Sequence, residues 1–152
     1  MEFSVLLLMI NALATLYMTG LIWMVQIVHY PLFAEVGLER FSQYARKHQL
    51  LTSIVVGPPM LIEAVSSVLL AWHLPPGISL TMVIAGILIV ICIWLSTALI
   101  QVPCHEKLAE GFTMRTHRRL VLSNWFRTVA WSARGALVAW MLTLVITVAT
   151  AN

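Results

Sequence analysis

Charge is what this sequence has least of. Only 10% of its 152 residues are Asp, Glu, Lys or Arg, against 61% hydrophobic; a water-soluble domain typically carries about 25% charged residues. There is too little polar surface to cover a soluble globule. Cysteine is scarce too: Cys92 and Cys104 make no CxxC pair and no disulfide framework, so neither supports a redox-thiol mechanism. A signal peptide is not expected. The first apolar stretch follows MEFS rather than a basic leader, is too long for a signal core and ends on no small-residue cleavage site.

Long apolar runs are what is present. Residues 4–28, 50–72, 79–102 and 121–148 are each long enough for a helix of about 20 residues across a bilayer. The expected fold is all-α: one transmembrane domain over 1–152, a polytopic four-helix bundle with charged loops at 31–49 and 103–120. Seven of the nine basic residues (Arg40, Arg46, Lys47, Lys107, Arg115, Arg118, Arg119) fall in those two loops. The positive-inside rule then puts both loops in the cytoplasm and both termini outside. The basic excess reads as a topology signal, not as a nucleic-acid surface. Gly57-Pro58-Pro59 predicts a kink or broken turn in the second helix, and Pro103 is expected to end the third. The segment 31–49 reads as an amphipathic interfacial anchor.

Each helix carries one narrow polar stripe. At about 100° per residue, Asn11, Thr15, Thr19, Gln26 and His29 share an arc of about 80°. His48, Thr52, Pro59, Glu63 and Ser66 share one on the second helix, if helical phase survives the prolines. Trp94, Thr97, Gln101, Cys104 and His105 follow on the third, and Asn124, Arg127, Trp131 and Arg134 on the fourth. The simplest packing turns all four stripes inward. Small polar groups such as Thr15 and Thr19 commonly do no more than hydrogen-bond between helices; ionisable groups inside a membrane mark function.

Depth separates these residues into two layers. With about 1.5 Å rise per residue, Glu63 lies roughly 22 Å beyond His48 and Arg134 roughly 21 Å beyond Leu120. A buried Glu63–Arg134 ion pair at mid-bilayer is the economical expectation. His29, His48, Gln101, His105 and Asn124 gather at the inner boundary, with Arg127 between the layers. His29, His48 and His105 are the candidate general bases, and the only set able to share a transition metal or ligate a haem; the alternative is that they bond backbone carbonyls at the interface. No HxxxH or HExxH spacing decides between these, so the cofactor stays open. His73 and His117 read as solvated. Two buried arginines against one glutamate leave positive charge that an anionic group on a ligand can balance, unless Arg127 snorkels to the surface. Arg127, Trp131, Asn124, Gln101 and Gln26 are the candidate substrate contacts, Trp131 by stacking.

The two halves resemble each other. Aligning Pro31 with Pro103 sets His29 opposite Gln101 and Glu63 opposite Gly135, beside Arg134. A parallel two-fold repeat would put sites at the repeat interface.

Pro103-Cys-His-Glu-Lys-Leu108 and Asn124-Trp-Phe-Arg-Thr128 resemble the C-terminal signature of the four-helix membrane family that includes the fungal anthrone oxygenases. The stretch Trp23 to Phe33 (WMVQIVHYPLF), with Phe41-Ser-Gln-Tyr44 and His48, is similar to uncharacterised bacterial four-helix membrane proteins of that kind. Tyr30-Pro31 also resembles the haem-binding four-helix protoporphyrinogen oxidase of bacteria. The first resemblance implies oxidation of a polycyclic phenol by dioxygen, with Trp and His involved and no established metal; the expected location is a bacterial inner membrane.

Three functions follow. One is a membrane oxidoreductase acting on an apolar, aromatic or anionic small molecule near the cytoplasmic leaflet. Another is a small proton-coupled transporter titrating Glu63, which with four helices would need to form a homo-oligomer. The last is an assembly subunit whose polar stripes only hold the bundle together.

Overall fold

A computed structural model describes residues 2–151. Four long helices account for nearly all of them: α1 (Phe3–Glu35), α2 (Leu38–Trp72), α3 (Leu80–Glu110) and α4 (Met114–Ala151), each long and apolar enough to cross a bilayer. There is no strand among the described residues. α1 packs against α2 and α4, and α3 against the same two, so the chain forms an up-down-up-down ring of four. Exposed apolar side chains such as Leu13, Leu88, Leu99, Val129 and Ile146 cover the outside. That is the surface of a membrane-spanning bundle, not of a protein bathed in water.

The helices run further than hydrophobicity alone predicts. Residues 31–49 and 103–120, expected to be loops, are mostly helix: α2 begins at Leu38 and α3 continues to Glu110. At about 1.5 Å per residue a 35-residue helix exceeds the hydrocarbon thickness by some 20 Å. Both surpluses lie at one end and carry the charged residues. That end is called the charged end below. Pro58 and Pro59 do not break α2, which is continuous from Leu38 to Trp72. Its neighbours hold it in register although neither proline can donate to the carbonyl four residues earlier.

Pro31 and Pro103 act differently. Each is preceded by a single π turn, Val25–His29 in α1 and Thr97–Gln101 in α3. The Tyr30 N–H reaches back to the Val25 carbonyl and the Val102 N–H to the Thr97 carbonyl. One extra residue in the turn moves the proline ring away from the carbonyl it would strike in a regular helix. So Pro103 does not end the third helix, as the sequence led one to expect; a π turn absorbs it. The two turns are separated by the same offset as Pro31 and Pro103, which is the clearest structural trace of a two-fold repeat.

Two apolar clusters bracket a polar layer. Phe33, Phe41, Leu108, Leu120 and Trp131 belong to the one toward the charged end. Leu7, Leu8, Leu70, Val83 and Met141 form the other. The α2–α3 turn closes the far end, where Gly77 has φ +78° and a Cβ would meet Val148 Cγ2 at 2.9 Å. Ser79 caps α3 there, its Oγ accepting from the Met82 N–H at 3.4 Å.

Candidate functional site

A cavity of about 310 Å³ opens in the charged half of the bundle, between α1, α2 and α3. Met18, Ile22 and Val25 form its α1 wall, and Val56, Gly57 and Met60 its α2 wall. Leu61, Trp94 and Val102 line it while remaining exposed on the bundle surface, so its mouth lies between α2 and α3 and faces lipid. Gly57 contributes by what it lacks: a Cβ there would meet nothing within 4 Å. The wall is mostly apolar, with Gln49, Thr52, Ser53 and Thr97 as smaller polar members, and at its polar end Tyr30, His48, Gln101, His105 and Arg127 come together. An apolar chamber with a few convergent polar groups is the ordinary form of a small-molecule site.

Tyr30 is the centre of that polar end. Its hydroxyl lies 2.9 Å from His105 Nε2 and beside the Arg127 guanidinium. Which of Tyr30 and His105 donates across their contact depends on the tautomer of His105. Arg127 is held from behind: its Nη1 donates to Asn124 Oδ1 at 3.1 Å, and Asn124 Nδ2 donates to Gln26 Oε1 at 2.9 Å. Gln26 Nε2 in turn donates to the Val121 carbonyl at 3.2 Å. Arg127 Nε has no hydrogen-bond partner, and no carboxylate pairs with Arg127 among the described residues. Arg127 is only 5% exposed, so it does not snorkel out. Gln101 is fixed similarly, accepting from Ser96 Oγ at 3.0 Å and donating to Ser123 Oγ at 3.2 Å.

The three candidate histidines are brought together, but not as a converging set. His29 Nε2 and His48 Nδ1 lie 2.9 Å apart and bond directly; one donates and the other accepts. Thr52 Oγ1 sits 3.1 Å from the same His48 nitrogen. The His48 and His105 rings pack at 5.4 Å, tilted by 38°, while His105 Nε2 is engaged with Tyr30. No group of three or more His, Cys, Asp or Glu is placed to hold a metal ion among the described residues. One nitrogen of each ring is already engaged, His29 Nε2 with His48 Nδ1 and His105 Nε2 with the Tyr30 hydroxyl. His29 itself lines a separate groove of about 520 Å³ between α1 and α2, with Tyr44, Lys47 and His48.

The deep layer is a closed hydrogen-bond cluster. Arg134 Nε lies 3.5 Å from Glu63 Oε1. Arg134 Nη2 donates to Asn11 Oδ1 at 2.7 Å and Ser67 Oγ at 3.0 Å. Thr15 donates to Glu63 Oε1 at 2.7 Å, and Asn11 Nδ2 donates to Ser66 Oγ at 2.8 Å. Gly86 makes room for the guanidinium, since a Cβ there would fall 2.7 Å from Arg134 Nη1. Glu63 Oε2 is left without a partner, yet Glu63 is fully buried and does not line the cavity, although Met60 and Leu61 do.

Several candidates sit elsewhere than their sequence roles imply. Trp131 is fully buried in the core with its Nε1 unbonded and does not line the cavity, so it has no face for a ligand to stack on. Gln26 and Asn124 are also outside it and serve as supports for Arg127. His117, read as solvated, is buried and its Nε2 bonds the Tyr30 carbonyl at 2.8 Å. Tyr30, which enters the sequence analysis only through the Tyr30-Pro31 resemblance, is not among the candidate site residues there. The π turn explains why: an extra residue rotates the following positions by about 100°, carrying His29 sideways toward α2 and Tyr30 into the centre. The signal was present in the proline that follows. No protein-family model, curated protein or solved structure matches this chain.

Proposed function

We propose that this membrane bundle is an oxidoreductase for an apolar aromatic molecule that carries an acidic hydroxyl or enol. The molecule enters from the bilayer between α2 and α3, and its acidic end reaches Arg127. One observation carries the reading: an arginine with no carboxylate partner stands at the polar end of an otherwise greasy, lipid-facing chamber. A buried cation of this kind favours an anion in the same space.

The chemistry follows from the side chains. His105 or His48 accepts the acidic proton, Arg127 and Tyr30 hold the oxyanion, and Trp94 lies against the ring system at the mouth. The resulting electron-rich anion is what dioxygen attacks. For an anthrone-type substrate the balance is one methylene plus O₂ giving one carbonyl plus water, with no further reductant. The resemblance of 103–108 and 124–128 to the anthrone-oxygenase family supports this choice of substrate and oxidant. The preponderance of basic residues at the charged end supports a cytoplasmic placement of that end, with both termini outside. Proton-coupled transport gains no comparable support, because the cavity stops short of the sealed Glu63.

The test is oxygen uptake by the purified full chain in detergent with anthrone as probe. Uptake should match anthraquinone formed mole for mole. His105→Gln, Tyr30→Phe and Arg127→Gln should each slow it, by roughly 10²-fold or more where the proton acceptor is lost. Uptake no faster than in protein-free detergent would reject the reading.

A further inference from the structure

A second polar recess lies on the outside of the charged end, away from the cavity just described. It has a volume of about 390 Å³ and is lined by Pro103, Cys104 and Lys107 of α3 and by Arg115, Thr116 and Arg119 of α4. Three cations converge there with no acidic residue in the lining. None of the three is in an ion pair among the described residues. Arg115 and Thr116 also belong to the first turn of α4, a 38-residue helix whose positive dipole end faces the recess. The turn is preformed: Thr113 Oγ1 donates to Thr116 Oγ1 at 2.8 Å and accepts the Thr116 N–H at 3.4 Å.

What lies below the recess identifies its occupant. Arg115, Arg119, Leu122, Phe126 and Val129 follow one another at helical spacing on a single face of α4. Leu122, Phe126 and Val129 are 57%, 54% and 63% exposed. The face thus changes from cationic to apolar along one line, in the same order as a bilayer changes from headgroup to hydrocarbon. A free inorganic anion would use only the upper part. A phospholipid uses both, its phosphate among the cations and an acyl chain along the apolar stripe.

We propose that this recess binds one anionic phospholipid through its phosphate, with the lipid tail along Leu122, Phe126 and Val129. The site does not depend on the oxidoreductase reading.

The test is native mass spectrometry of the full chain in neutral detergent, titrated with phosphatidylglycerol, phosphatidylcholine or inorganic phosphate. Phosphatidylglycerol should be retained at one per chain in preference to phosphatidylcholine. That preference should fall about fivefold for each of Lys107→Gln, Arg115→Gln and Arg119→Gln. Arg40→Gln with Arg118→Gln, which removes two basic residues outside the recess, should leave it unchanged. Three results would overturn the proposal: equal retention of the two lipids, an equal loss in the Arg40/Arg118 control, or displacement of phosphatidylglycerol by equimolar inorganic phosphate. Helical circular dichroism checks that each variant is folded, and a single-site loss from Arg119→Gln alone suffices if the others are not.

Discussion

The Tyr30 hydroxyl of α1 and His105 Nε2 of α3 lie 2.9 Å apart, Tyr30 immediately after its helix's π turn and His105 four residues after its own. This contact ties the two halves of the bundle together at the polar end of the cavity. It depends on both π turns, since each sets the rotation of the residues after it.

Pro31→Ala and Pro103→Ala should therefore loosen ligand binding without unfolding the bundle. Alanine restores the missing N–H and removes the ring clash, so the helix can return to regular α geometry. The residues beyond would then rotate by about 100°, and Tyr30 or His105 would leave the cavity. Retained thermal stability with weakened binding of an aromatic phenol is the expected result, read by titration and by thermal unfolding in the same detergent.

Gly86→Ala should destabilise the fold, by about 1–3 kcal/mol. The new methyl would sit 2.7 Å from Arg134 Nη1 and push the guanidinium off Asn11 and Ser67. Gly20→Ala is the contrast, because nothing lies within 4 Å of a Cβ there. That change should be neutral or stabilising by up to about 1 kcal/mol through helix propensity alone. Thermal unfolding of the pair separates the two effects.

Glu63→Leu should cost more than the double change Glu63→Leu with Arg134→Leu. Removing one partner of a buried pair typically costs about 3–5 kcal/mol because the other charge is stranded. Removing both strands neither charge, although Asn11 and Ser67 lose a donor. A double-mutant cycle measures the coupling directly.

His117→Ala should destabilise the charged end by roughly 1–3 kcal/mol, because the Tyr30 carbonyl loses its 2.8 Å bond inside the bundle. Hydrogen exchange at residues 30–36 should rise while exchange in the deep layer around Glu63 stays slow.

Much of the architecture is legible in the sequence. Hydrophobic run length finds four spans, and the inward polar stripes follow from helical periodicity through Asn11, Thr15, Glu63 and Arg134. Periodicity failed where its constant rotation failed, after the π turns: it put His29 where Tyr30 stands. It failed again outside the hydrocarbon, since residues 38–49 and 103–110 are helical through amphipathic packing rather than apolar length. His117 was misread because two adjacent arginines mark a wet surface, whereas the histidine points the other way, under the end of α1. Gly86 gave no signal of its own. Its importance is the space it leaves for a guanidinium on another helix, which no local pattern records.

The most direct measurement compares an acidic aromatic with its methyl ether. Binding of 1-hydroxyanthracene and 1-methoxyanthracene to the purified chain can be followed by fluorescence. The hydroxyl form should bind at least about tenfold tighter, a difference of about 1.4 kcal/mol, and Arg127→Gln should erase that preference while leaving the ether's affinity unchanged. Equal affinities in the unaltered protein, or a preference that survives Arg127→Gln, would contradict the account.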